Sequence, residues 1–167
     1  MRGIATMNFP KVSIPNVGSV FVKEARYFVI GNGGSCKNAE HFASDLREIG
    51  FDADALADSG NLTAIGNDFG YDQVFVKQLE TKVLDRWVLI CLSGSGNSKN
   101  ILAAVGWAKV HGGKVVTITS AQQGALRELG DYNILIESAD MEDIESTTLH
   151  VMHEIKRKLR DRRMWKA

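Results

Sequence analysis

Residues Gly31–Asp45 read GNGGSCKNAEHFASD, and the apolar run Arg26-Tyr27-Phe28-Val29-Ile30 stands directly before them. The chain therefore passes from strand to glycine-rich turn to helix. Glycine lets the backbone come close to a ligand, and the unpaired N–H groups of a helix start favour an anion. In the helix, Phe42, Leu46 and Ile49 follow a 3.6-residue spacing and make a core face. His41 and Asp45 are four residues apart and share another face. An anion cradle leading into a histidine–carboxylate pair is the first clue to chemistry.

The same alternation continues to the end of the chain. Strands are predicted at Arg26–Ile30, Ala53–Ala57, Trp87–Leu92, Lys114–Thr119 and Tyr132–Glu137. Helices are predicted at Asn38–Ile49, Leu62–Asn67, Asp72–Val83, Lys99–His111, Gly124–Leu129 and about Asp143–Arg163. Gly50 and the pair Gly112-Gly113 act as helix stops. Val88-Leu89-Ile90 and Val115-Val116 are apolar without alternation, as strands covered on both faces are. Repeated strand–helix–strand units imply right-handed crossovers and an α/β fold of three layers. The expected sheet is doubly wound, parallel and five-stranded, in the flavodoxin-like order 2-1-3-4-5. Residues 1–25, interrupted by Pro10 and Pro15, read as an irregular arm with room for one short helix.

Bulk properties narrow the classes. The 167 residues suffice for one domain with a sizeable core. Composition is ordinary, with 44% apolar and 24% charged residues and a net charge of zero, so no overall field recruits nucleic acid or membrane. No apolar run approaches the roughly 18 residues of a membrane span, and the first residues do not read as a signal peptide. Cys36 and Cys91 make no disulfide framework and suit a reducing cytoplasm. Seven of the twenty basic residues fall within Lys156–Ala167, which reads as a solvated helix end.

A second polar turn, Ser93-Gly94-Ser95-Gly96-Asn97-Ser98, follows the strand ending at Leu92 and precedes a helix. Its three hydroxyls, two glycines and helix start can wrap a phosphate. In the expected strand order the first and third strands are neighbours, so both turns face one crevice at the switch point. Neither turn carries a dinucleotide fingerprint or a P-loop. With Lys99 the lone cation at the second turn, a monophosphate fits better than a triphosphate.

These motifs carry a resemblance. GNGGS, NAEHFASDL, LTAIGNDFGYDQVF and LSGSGNS, in that order, resemble the sugar isomerase (SIS) domain and closely the phosphoheptose isomerases, across roughly Arg26–Arg160. Residues 26–167 are then a single SIS domain. The resemblance implies an aldose–ketose isomerase converting sedoheptulose 7-phosphate to D-glycero-D-manno-heptose 7-phosphate through an enediol, in the supply of heptose for lipopolysaccharide. It implies that Ser93, Gly94, Ser95 and Ser98 hold the phosphate. Asn32, Gly33, Gly34, Ser35, Asn67 and Asp68 would line the sugar, with Asp45 and Glu145 also against substrate. Asp45 would be the base and His153 the proton shuttle. A zinc ion would be held by His41, Asp45, Glu145 and His153. It further implies a cytoplasmic homo-oligomer, dimer or tetramer, with sites near subunit interfaces and no nucleic-acid or membrane partner.

Other readings stay open at this point. His41 and Asp45 can be a plain surface pair, His153 an exposed histidine, and Glu145 one more acid at a helix start beside Glu142 and Asp143. His150 reads as a bystander and His111 as a helix-end residue. Glu145 and His153 are eight residues apart, about 12 Å along a straight helix, so one ion cannot easily take both. Either Glu145 lies in an irregular first turn, or the two serve different parts of the site or different subunits. The chain also departs from the family pattern. Asp45 stands where Glu is usual, Glu145 where Gln is usual and Gly94 where Thr is usual. The first helix-to-strand connection is shorter, and the N-terminal helical region that helps build the tetramer is largely missing. A non-catalytic SIS domain that binds a phosphosugar or a protein partner, as the initiator-associating relatives do, is the second reading. Another SIS chemistry, such as amino-sugar phosphate handling, is the third.

Overall fold

Edge-to-edge order explains where the site falls. The structure, a computed structural model, describes residues 9–83 and 85–164, with side chains described through Asp161. Its strands are β1 (Val12–Ser13), β2 (Arg26–Gly31), β3 (Asp52–Ala55), β4 (Trp87–Ser93), β5 (Lys114–Ser120) and β6 (Tyr132–Ile136). The helices are α1 (Gly34–Glu48), α2 (Ser59–Phe69), α3 (Val76–Leu79), α4 (Lys99–Val110) and α5 (Met141–Met164). They form one sheet in the order β1-β6-β5-β4-β2-β3. All neighbours are parallel except β1, which pairs antiparallel with β6 through Val12–Ile136 and Ser13–Leu135. The sheet is thus six-stranded and mixed, not the five-stranded parallel sheet expected. The added strand is two residues of the arm, too short to show a period.

Helices cover both faces. Tyr27, Val29, Val88 and Ile90 pack under Phe42 and Leu46 of α1 and Val151, Met152 and Ile155 of α5. Phe28, Ile30, Leu89 and Cys91 pack under Ile101, Ala104 and Ala108 of α4 and Leu79 of α3. The central strands are buried on both sides, which is why their sequences run apolar without alternation. The arm docks through Tyr27, whose hydroxyl donates to the carbonyls of Val20 and Val22 and accepts from the Val22 N–H at 2.7 Å. Burial pushes that phenol up to about 12.

Several element bounds differ from expectation for local reasons. α1 begins at Gly34, four residues before Asn38, because Gly33 at φ 56° turns the chain straight into the helix. α2 extends to Ser59 because the Asp58 carboxylate caps it, accepting from the Asn61 N–H at 2.8 Å. The predicted helix Asp72–Val83 is a 3₁₀ turn, Tyr71–Gln73, and the four-residue α3. Its run Val74–Val76 is buried residue after residue, so no amphipathic face forms. Gly124–Leu129 is likewise a 3₁₀ turn, Ala125–Glu128. The expected short helix of the arm is a 3₁₀ turn at Val17–Ser19. Residues 1–8 of the arm, and the basic side chains beyond Asp161, lie outside the described residues.

Candidate active site

Register brings the two polar turns together. Gly31 at the end of β2 pairs with Leu92 on β4, so the turns at 31–35 and 93–98 leave the sheet side by side. Each opens a helix whose N-cap, Gly33 or Ser98, makes no side-chain capping hydrogen bond. Their first-turn N–H groups therefore lack the cap that Asp58 gives α2.

The two turns are equipped differently. At α1, the Glu145 carboxylate lies directly over Gly34, where any Cβ would collide with it. Glu145 also accepts at its backbone oxygen from Asn38 Nδ2, at 3.0 Å. The positive end of α1 thus already has a negative neighbour, while α4 carries no acidic residue in its own first turn. The 93–98 turn is self-braced. Ser93 Oγ accepts from the Gly96 N–H at 3.2 Å, and Ser95 Oγ accepts from the Asn97 N–H at 3.3 Å. Thr119 Oγ1 donates to the Ser93 carbonyl at 2.5 Å, and the Ala125 and Leu126 N–H groups bond Asn97 and Gly96. Ser93 is buried, whereas Ser95 and Ser98 are partly open. A Cβ at Gly94 would stand 2.7 Å from Met141 Cε, so the methionine fills the space a larger residue would need.

Asn32 joins the turns. Its side chain exchanges hydrogen bonds with the buried Asn100 of α4, both at 2.9 Å, and accepts from Tyr71 Oη at 3.0 Å. Asn100 and Tyr71 were not among the residues the sequence singled out, although Tyr71 lies inside the GNDFGYD motif. Asn67 and Asp68 lie exposed near the end of α2, with Asn67 Nδ2 donating to Asp68 Oδ1 at 2.8 Å. No side-chain hydrogen bond among the described residues joins them to the turns.

Further along α1, packing against α5 assembles a second group. His41 Nε2 and His153 Nε2 are 2.9 Å apart. Asp45 Oδ2 lies 3.4 Å from the first and 3.7 Å from the second. Oδ2 is buried and has no hydrogen-bond partner among the described residues. All three ligand atoms fall within 4.8 Å of one another. Two ligands of a tetrahedral ion at ~2.0–2.1 Å sit roughly 3.3 Å apart, and these separations straddle that value. Two imidazoles and an orphaned carboxylate oxygen are therefore a set that fits a zinc-like ion.

Glu145 is not part of that set. It lies in regular helix, so the irregular first turn that would let it join His153 does not exist. Its carboxylate serves the Gly34 end of the crevice instead. A residue the sequence misread completes the group. Lys156, taken as part of a solvated basic end, donates to Asp45 Oδ1 and Glu48 Oε2, each at 2.7 Å. Those bonds, to Asp45 first and then Glu48, raise its pKa. His150 stacks on Phe9 at 4.9 Å, and His111 caps α4 with a ring bond to the Trp107 carbonyl. Cys36 and Cys91 are unpaired, and burial pushes both thiols up.

The chain is similar to known proteins of one family. Residues 19–120 match the SIS domain. The phosphoheptose isomerase of Campylobacter concisus is 36% identical over 137 residues, covering 78% of this chain and 72% of that one. The Mycobacterium tuberculosis phosphoheptose isomerase is 39% identical over 138 residues, covering 78% and 70%. The structure of the Neisseria gonorrhoeae phosphoheptose isomerase superposes with a TM-score of 0.76 at 32% identity, covering 81% of this chain and 76% of that chain. The chain belongs to the SIS-domain family and, within it, to the phosphoheptose isomerases.

Proposed function

We propose that the protein is an aldose–ketose isomerase that interconverts sedoheptulose 7-phosphate and D-glycero-D-manno-heptose 7-phosphate through an enediol. The observation that carries this reading is the placement of three groups along neighbouring elements. The turns after β2 and β4 leave the sheet side by side, Asn32 and Asn100 bond across them, and His41, Asp45 and His153 gather further along α1.

The phosphate is bound at the start of α4 by Ser95, Ser98 and backbone N–H groups of the turn that Gly94 opens. Ser93, its hydroxyl turned inward to Gly96, shapes the turn. Asn32, Gly33, Gly34, Ser35, Asn67, Asp68 and Glu145 face the sugar hydroxyls. Isomerisation moves a proton from C1 to C2 while the carbonyl passes from C2 to C1, so a base must take a carbon-bound proton and a second group must move one between oxygens. Asp45 Oδ2 is the base. It is buried beside the His41 and His153 nitrogens, at 3.4 and 3.7 Å. His153, partly exposed beside it, carries the second proton, since an imidazole ring can both accept and donate one. His41, Asp45 and His153 are the residues that would hold zinc, which supplies Lewis-acid polarisation of the carbonyl when bound.

Assembly into a dimer or tetramer is supported by α2, which buries none of its residues within the chain, and by Phe69 and Tyr71, each 58% exposed. Unpaired cysteines suit a cytoplasmic protein. No helix among the described residues is long and apolar enough to cross a membrane.

Incubated with sedoheptulose 7-phosphate in D₂O, the protein is expected to place deuterium on the carbon beside the carbonyl, and chelation followed by zinc addition to suppress and restore it. No exchange with or without zinc, alongside retained phosphosugar binding, would instead establish a SIS domain that binds without isomerising.

A further inference from the structure

We propose that Lys156 is a positioning residue that fixes the Asp45 carboxylate in one orientation, directing Oδ2 at the His41–His153 pair. The inference rests on the isomerase reading and adds a residue to its machinery. A carboxylate has two equivalent oxygens and turns readily about its last torsion, so a short Asp side chain by itself does not select which oxygen faces the histidines. Lys156 removes that equivalence. Its ammonium is 2.7 Å from Oδ1, while Oδ2 has no hydrogen bond and points at the two imidazoles.

The lysine is itself held. Its second contact, Glu48 Oε2 at 2.7 Å, comes from the next turn of α1, and its side chain is only 16% exposed. Asp45 and Glu48 on α1 thus bracket one cation from α5, one turn beyond His153 on α5 and about one and two turns beyond His41 on α1. A surface pair contributes little, but a largely enclosed one whose partner is removed leaves an uncompensated carboxylate. Groups that orient a ligating or catalytic side chain typically change metal affinity or activity by about 10–100-fold when removed.

A plain α1–α5 staple would give the same distances, so the test must separate the two roles. Lys156→Met keeps the apolar stem and loses the donor; Lys156→Arg keeps charge and donors. Zn²⁺ affinity is measured by competition with a chelator, and kcat, KM and Tm are measured on the same preparations. We expect Lys156→Met to weaken Zn²⁺ binding and lower kcat by about 10–100-fold, with KM for the sugar phosphate within about twofold. Lys156→Arg should recover most of both. If Lys156→Met does not fold, Lys156→Leu, which also lacks a donor, is read in its place. Wild-type Zn²⁺ affinity and kcat in a folded Met or Leu variant would overturn the proposal. So would a loss confined to Tm, or an Arg variant as impaired as Met. Because the Zn²⁺ titration needs no turnover, an inactive wild-type protein would refute the isomerase reading while leaving the Lys156 test readable.

Discussion

The turn at Ser93–Ser98 and the group His41, Asp45, His153 and Lys156 are built on opposite plans. The turn is braced by itself and its neighbours, with Ser93 bonding Gly96, Ser95 bonding Asn97, and the 125–126 segment closing over it. Its shape follows partly from bonds among its own residues and partly from Thr119 and the 125–126 segment. The histidine–carboxylate group has no such local frame. Each half sits on a different helix, His41 and His153 are 112 positions apart, and their meeting depends on α1 packing against α5. In the proposed function, binding thus rests on a turn that partly braces itself, and proton transfer on the packing of two helices. Perturbing one should leave the other largely intact.

The sharpest break in that comparison is at His153. His153→Gln should lower kcat by about 10²–10⁴-fold, with sugar-phosphate binding by calorimetry nearly unchanged. Comparable loss of binding would show the two regions to be coupled. Next comes Met152, buried beside it in the layer under α1. Met152→Ala should reduce unfolding free energy by about 2–5 kcal/mol, read in a denaturant titration, and lower kcat more than it raises KM. At the other region, Ser95→Ala removes a hydroxyl offered to a charged group, worth about 1.5–3 kcal/mol. Its signature should be a KM rise of at least tenfold at constant kcat; an unchanged KM would remove Ser95 from the phosphate site. The smallest effect is expected at Tyr71→Phe. One neutral hydrogen bond to Asn32 is lost, about 0.5–1.5 kcal/mol, visible as a few-fold change in KM.

The same contrast explains what could be read from the sequence. Three serines and two glycines between a strand and a helix announce their chemistry locally, and the four-residue spacing of His41 and Asp45 places them on one face. The central strands were legible because burial on both faces leaves continuous apolar runs. Lys156 was not, because within its own segment it resembles any cation at a basic helix end. Its partners lie 108 and 111 positions away. Asn100 went unnoticed for the same reason: its amide bonds Asn32 on another turn. Glu145 was assigned to the metal through resemblance, yet rise along α5 carries it to Gly34. β1 and α3 failed for a different cause, being two and four residues long.

In the proposed function, Asp45 performs the proton transfer while the Ser93–Ser98 turn performs the binding. Asp45→Asn tests it most directly, with solvent-deuterium exchange and sedoheptulose 7-phosphate affinity measured on one preparation. We predict that exchange is abolished and affinity stays within about threefold, since an uncharged amide of equal size leaves the turn untouched. Exchange at the wild-type rate, or loss of binding equal to the loss of exchange, would contradict it.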